Sequence, residues 1–547
     1  MLPDPRLSPR RFRWDPRTAW PAAAAVLVAL AVGTFLRVQQ LRIQWLTDDE
    51  WHAVERLQTT EGYRALFGSF GIADFSIPLA LVYRAVAQTV GLDEFFMRLP
   101  MLVCGLLTLV FGALWAWRRL SPGVAAFFAA YLAVSPLLVN YSRNARPYAI
   151  TLLLDAVAVL ALARWDAARA PWPALVYAAA SWLAIWLHQA SAPFLLMPLA
   201  YLFVRDVARA VRGGEWRPAR QTFMLGLGLG AALAAVLVPP LASDPAALGT
   251  RTGQDLPQLA TLVGALRVWT GTGSAIVVAA FVALAIAGAP VLWRALRPEA
   301  TLWLVGLAAT LAAVLVTRPA WSQHALTFAR YLLPALPLLL LAAAAGSARL
   351  VAAIPSPWLA APAAAALALG ALVGTPHAAL LQRPNNFTLH SYHQFDYRHE
   401  GNPTRAYIDA IPTSPFWQRL ATLPPGSLRI AVAGHGLESY YIGDVRWQPI
   451  HRQRLFNAEL GAYCVAPVRG EGRAAAGIRF ANAVTLAEPG SVRTHGIDLL
   501  VWKKLSPATT PSYVDLAPCA DRLRRDFGPP AFEDDQVIVF DLTGRLR

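Results

Sequence analysis

Apolar runs long enough to cross a bilayer recur along the first two thirds of this chain. Hydrocarbon offers no partner for a backbone amide, so such runs must fold as helices of about 20 residues. They lie near residues 20–38, 99–117, 123–140, 147–163, 173–188, 191–204, 221–240, 273–292, 300–316, 331–347 and 356–374, which predicts eleven spans. Composition agrees. The 547 residues are 56% hydrophobic and only 15% charged, with a mean hydropathy of +0.42, and soluble chains of this size rarely reach such values.

A twelfth stretch, residues 76–92, is shorter and carries Arg84 at its centre. Counting it would invert every later loop, and charge arbitrates. Without it, seventeen arginines fall in the short loops of one side, from Arg6 to Arg349. Such an excess marks the cytoplasmic side. Eleven spans then put the N-terminus in the cytoplasm and everything past about residue 375 outside. Residues 76–92 read as an external amphipathic helix lying in the interface. No cleavable signal pattern precedes the first span. The net charge of +15 is almost all arginine, since Lys503 and Lys504 are the only lysines. In a membrane protein it concerns orientation and anionic lipid, and no basic stripe interleaved with aromatics suggests nucleic acid. The alanine and arginine excess suggests a GC-rich bacterial genome, hence the bacterial inner membrane of a cell envelope.

Composition shifts to polar residues after the last run. Residues 376–547 read as an extracytoplasmic soluble α/β domain, following a transmembrane domain of residues 1–375. The strand-like runs are 429–434, 497–502 and 536–542, with a helical pattern at 520–528. Cys464 and Cys519 share this domain and, outside the membrane, could pair as a disulfide.

The first external loop, about residues 41–97, opens with WLTDDEWH, which sets Asp48, Asp49 and Glu50 at the mouth of a span. Other loops on that side supply Arg98, Arg143, Arg146 and Arg330 with Tyr331, while His188 ends the fifth span. A single such arginine is most simply a headgroup or ion-pair residue. Four of them facing an acidic triplet point to a site for an anionic, lipid-linked substrate, because guanidinium forks fit phosphate oxygens.

Several motifs carry a resemblance: DDEWH, FSIPLALVYRAVAQTVGLDEFFMRLP, SPLLVNYSRNARPYA, WLHQASAPFLL and FARYLLPALPLLL, in that order across residues 40–345. Together the set resembles the protein O-mannosyltransferase-like (glycosyltransferase 39) group of the glycosyltransferase-C superfamily, which includes bacterial aminoarabinose transferases. The resemblance implies a polytopic α-helical membrane protein of the glycosyltransferase-C fold. It also implies a polyprenyl-phosphate sugar donor and a catalytic aspartate in the first external loop. Asp49 and Glu50 match the family's acidic pair. Asp48 is an extra carboxylate, so the choice of base stays open among the three.

The implied chemistry is an inverting single displacement. A carboxylate, Asp49 first among the three, takes a proton from an acceptor hydroxyl, and general-base help of this kind gives about 10²–10⁴-fold. Arg98, Arg143, Arg146, Arg330 and Tyr331 are the expected donor-phosphate ligands. His52, Tyr148 and His188 are expected at the substrate. Glu50 would orient the base or bind a metal. No cofactor is otherwise expected, and a hard divalent cation is the metal that carboxylates suit. The acceptor is a lipid, a glycan or a protein. A polytopic transporter or flippase for a lipid-linked saccharide is the alternative, and would place its key charges at the midplane.

Overall fold

A computed structural model describes residues 16–42, 46, 50–71, 76–247, 249, 252–253, 255–354, a few residues between 359 and 367, 414–433, 451–459, 477–478, 483–485, 492, 496–504 and 517–546. Most of the eleventh expected span, the histidines at 377, 390, 393 and 399, and Cys464 lie outside the described residues.

The first ten expected spans are all helical. They are α1 (Pro16–Val38), α5 (Glu94–Arg119), the pair α6 (Pro122–Val134) and α7 (Pro136–Ser142), α8 (Tyr148–Ala168), α9 (Pro171–Leu187), α10 (Ala192–Gly213), α11 (Arg217–Ser243), α13 (Ala275–Ala295), α14 (Arg297–Thr317) and α16 (Ala335–Ala352). By length and apolarity alone, seven of these could cross a bilayer, and an eighth is the α6–α7 pair, bent by 60°. Of the other two, α9 has only 17 residues, and α10 carries Arg205, Asp206, Arg209 and Arg212 in its second half.

Long-range contacts nonetheless put both across the same layer as the rest. One end of the bundle gathers Glu50 with Arg98, Tyr148 with His188, and Gly253 with Thr317. The other gathers Arg119 with Glu299, Arg169 with Asp206, and Gly123 with Ala348. Helix α9 runs from beside Arg169 to His188, and α10 runs back to Asp206. Every contact joins loops that the arginine count assigns to one side. Helices α13 and α16 cross so closely that a Cβ on Gly288 would lie 1.9 Å from the Ala342 carbonyl oxygen, and one on Gly346 would lie 1.9 Å from that of Leu284. Small residues buy this approach where lipid gives no hydrophobic drive between helices.

Three helices fill the first loop: α2 (Glu50–Thr59), α3 (Gly62–Phe67) and α4 (Ile77–Thr89). Helix α4 covers the stretch expected to be an external helix, and its Arg84 has a structural job. It donates to the carbonyls of Leu57 and Thr60 at the end of α2, groups a helix end leaves without partners. Two further helices, α12 (Leu259–Thr270) and α15 (Ala325–Tyr331), lie at the same end as the first loop.

The tail builds one six-stranded sheet in the order β3-β2-β1-β4-β6-β5, from β1 (Arg429–Ala433), β2 (Arg454–Glu459), β3 (Ala483–Thr485), β4 (Leu499–Lys503), β5 (Phe532–Glu533) and β6 (Val537–Asp541). Strands β1 to β4 run parallel, whereas β6 is antiparallel to β4 and β5 to β6. Alternate residues face opposite ways. Ile430, Val432 and Val501 pack beneath α17 (Pro415–Ala421). Ala431, Leu500 and Phe540 pack with Leu523 of α18 (Ala517–Phe527) on the other face. The expected strands at 429–434, 497–502 and 536–542 and the helix at 520–528 are all present, and β2, β3 and β5 join them.

Candidate active site

The site begins at the break between α6 and α7. Pro136 has no N–H to offer Leu132, so the helix bends there and leaves carbonyls open. Arg37, fully buried in the last turn of α1, closes the gap. Its guanidinium donates to the carbonyls of Leu132 at 2.9 Å and Ala133 at 3.1 Å, and to Ser142 Oγ at 3.2 Å. Arg143 does the reverse job. Its Nη1 donates to the carbonyls of Leu36, Arg37 and Gln39 at the end of α1. Two buried arginines thus lock α1 to the bent helix, each satisfying backbone carbonyls of the other's helix.

Arg143, expected at the donor phosphate, is 1% exposed and caps the end of α1. Arg98 is similarly committed. It forms a fully buried, bidentate pair with Glu50, Nε to Oε1 at 2.8 Å and Nη2 to Oε2 at 2.9 Å. Glu50 Oε1 also accepts from the Ala145 amide at 2.9 Å. Both oxygens of this carboxylate are thus engaged by protein groups. It ties the first loop to the loop carrying Arg146. Asp48 and Asp49 lie outside the described residues.

Arg146, Arg330, Tyr148 and His188 do come together. Pro147 starts α8 and leaves Tyr148 at its first turn, while α9 ends at Leu187 and presents His188 just beyond. The two rings meet edge to face, 5.3 Å apart, and Tyr141 packs on Tyr148 at 4.6 Å. The Arg330 guanidinium sits 5.4 Å from the Tyr148 ring centre, within cation–π range. Burial, then the charges of Arg146 and Arg330, push His188 down to about 3. It is therefore a neutral imidazole, able to donate one hydrogen bond and accept another. Tyr331 packs against the main apolar cluster of the bundle, and His52 is half-buried on α2.

Beneath the rings lies a small cavity lined by Arg37, Tyr141, Ser142 and Tyr148. Through Thr108, Leu132 and Leu152, which line both, it borders a larger one between α5, α6, α8, α13, α14 and α16. That second cavity is almost wholly apolar, walled by residues such as Phe111, Trp115, Leu160, Leu292 and Leu341. Among the described residues no three His, Cys, Asp or Glu side chains gather as a metal site.

Sequence reasoning missed Arg37 and Tyr141. An arginine in the last turn of an otherwise apolar span was the available signal for the first.

No family model matches the chain, and no curated protein does. Among solved structures it is similar to ArnT from Cupriavidus metallidurans bound to undecaprenyl phosphate, at 14% identity and a TM-score of 0.44, over 97% of this chain and 99% of that one. The apo form of the same protein gives 15% identity and a TM-score of 0.46, over the same shares. The archaeal oligosaccharyltransferase AglB from Archaeoglobus fulgidus, in complex with an inhibitory peptide and a dolichol-phosphate, gives 11% and 0.40, over 90% of this chain and 70% of that one.

Proposed function

We propose that the chain is an inverting membrane glycosyltransferase that moves a sugar from a polyprenyl-phosphate donor to an acceptor hydroxyl. One observation carries the reading. Arg146 and Arg330 converge on His188 and Tyr148 directly above a cavity system that turns apolar. Such an arrangement suits a ligand with an anionic head and a hydrocarbon tail.

Asp49 takes the proton of the acceptor hydroxyl, with Asp48 as the neighbouring candidate. The acceptor oxygen attacks the anomeric carbon, and the bond from that carbon to the phosphate oxygen breaks with its electron pair going to the phosphate. Arg146 and Arg330 meet the charge that grows there. Neutral His188 is free of charge to repel from either arginine and serves as a hydrogen-bonding group for sugar or phosphate. Glu50, held by Arg98, fixes the segment that Asp48 and Asp49 directly precede in sequence. One displacement inverts the anomeric configuration.

In this reading the site faces the outside of a bacterial inner membrane, with the N-terminus cytoplasmic. Residues 376–547 form a periplasmic or extracellular domain on a transmembrane domain of residues 1–375. The acceptor is a lipid, a glycan or a protein.

The test is transfer from radiolabelled polyprenyl-phosphate sugars by purified chain in native membrane lipid. Asp49→Asn should lower turnover about 10²–10⁴-fold while donor binding persists. Undiminished turnover would move the base to Asp48. No transfer from any such donor by the unmodified chain would favour the transporter or flippase reading.

A further inference from the structure

Helix α12 carries two apolar faces, and among the described residues only one is packed against protein. Thr261, Gly264, Ala265 and Val268 are buried, and they seat the helix on the segment that bears Arg330. The Thr261 hydroxyl donates to the Gln323 carbonyl at 2.8 Å, a Cβ on Gly264 would lie 2.5 Å from the Ala325 Cβ, and Trp269 Nε1 donates to the Ala329 carbonyl at 3.3 Å. The opposite face consists of Leu259, Leu262, Val263 and Leu266, four residues within one narrow arc of a helix. Leu259 is 76% exposed.

Twelve residues rise about 18 Å, well short of a hydrocarbon core of about 30 Å. The helix therefore cannot cross. The chain passes from α12 within a few residues into the span α13, whose first turn exposes Ile276 (82%) and Val277 on a surface that faces lipid. A helix joined this closely to the end of a membrane span has lipid as the apolar medium beside its exposed stripe.

We propose that α12 lies in the membrane interface at the site end of the bundle, its Leu259–Leu262–Val263–Leu266 face in the hydrocarbon of that leaflet, and that it holds the Arg330 segment at the depth of lipid phosphates. An interfacial helix with an apolar face sinks to the boundary of headgroups and acyl chains. The bonds to Gln323 and Ala329 carry that depth to Arg330, so a lipid-linked phosphate arriving sideways in the leaflet meets the arginine at its own level. The second half of the proposal rests on the transferase reading, whereas the first does not.

The experiment is fluorescence quenching in nanodiscs. An environment-sensitive dye is placed on Leu259→Cys, with Arg522→Cys on α18 as the reference and the unmodified chain as labelling background. Lipids carry a nitroxide high on the acyl chain. Quenching several-fold stronger at 259 than at 522 is expected. Equal quenching at the two positions overturns the proposal, as does a dye at 259 shielded from both nitroxide lipid and aqueous iodide, because protein would then cover the face. For the second half, Leu262→Ser with Val263→Ser should raise KM for a lipid-linked donor several-fold with kcat retained. An unchanged KM removes the positioning role but leaves both the membrane seat and the transferase reading standing.

Discussion

At one end of the helix bundle, Arg169 and Arg205 meet carboxylates, and at the other Arg330 meets a tyrosine ring. Arg169 and Arg205 close a box with Asp166 and Asp206, with N–O distances of 2.5–2.9 Å, and Thr222 adds a bond to Asp206. That box balances its own charge and joins the ends of α8, α10 and α11. Arg146 and Arg330 instead bear on a neutral imidazole and a tyrosine ring. Charge at a bilayer boundary is costly in either place. In the box it is offset by carboxylates within the fold, whereas at the site Arg330 lies over the Tyr148 ring. Charge type alone therefore does not mark function. What a charge faces does.

The Glu50–Arg98 pair tests that rule hardest, because it sits in the acidic triplet yet resembles the box. Glu50→Ala would strand a buried guanidinium, and removing one partner of such a pair costs about 3–5 kcal/mol. Thermal unfolding of the variant in detergent should show a loss of that order. A normal melting curve with lost transfer would instead move Glu50 to the chemistry.

Arg330→Gln and Asp206→Asn separate the two ends directly. Removing a donor to a developing oxyanion costs about 10²–10³ in kcat, so Arg330→Gln should lose that much turnover with its melting temperature kept. Asp206→Asn should do the opposite, keeping turnover per folded molecule while losing about 1.5–3 kcal/mol of stability, the worth of hydrogen bonds to a charged group. If both variants fail in the same assay, the contrast between the ends is wrong.

These pairs also show what could be read from residue order. The apolar runs announced their helices because a bilayer permits little else, and the arginine count sorted the loops into the two sets that the contacts bear out. The convergence of Arg146, Arg330, Tyr148 and His188 was legible for the same reason, since all four sit at span ends on one side. The fates of Arg98 and Arg143 were not. Arg98 is consumed by Glu50 and Arg143 by α1 carbonyls, which depends on how closely helices approach and not on spacing. Arg37 stayed hidden because its task exists only once Pro136 has bent the helix. Strands β2 and β5 escaped because Arg454, Asn457 and Glu459, like the two-residue Phe532–Glu533 pair, do not read as an apolar run.

The pH response sharpens the comparison further. His188 is neutral in the fold down to about pH 3, whereas an unfolded histidine takes up its proton near 6.5. Between those values the unfolded chain holds the extra proton, so stability is full above about pH 6.5 and falls as pH drops, by roughly 1.4 kcal/mol per unit. The buried His451, also pushed down to about 3, adds the same slope in the tail domain. The diagnostic is the difference between the unmodified chain and His188→Gln. The variant should lose acid sensitivity of the bundle and keep that of the tail. An unchanged bundle slope would mean that His188 is reached by protons in the fold, and the site would then be more open than the box.

The smallest effect belongs to the remaining pair at the box end. Arg119 meets Glu299 at 2.6 Å, but 44% of the arginine side chain is exposed. Exposed pairs give about 0–1 kcal/mol, because each ion is well solvated apart and ordering two side chains costs entropy. Glu299→Gln should therefore change the melting temperature little, and salt should erase what change there is. Glu299 also borders the apolar cavity, which makes the variant a second probe. If turnover fell while stability held, the hydrocarbon path would extend from the arginines at one end to the ion pair at the other. The two ends would then be parts of one ligand site and not opposites.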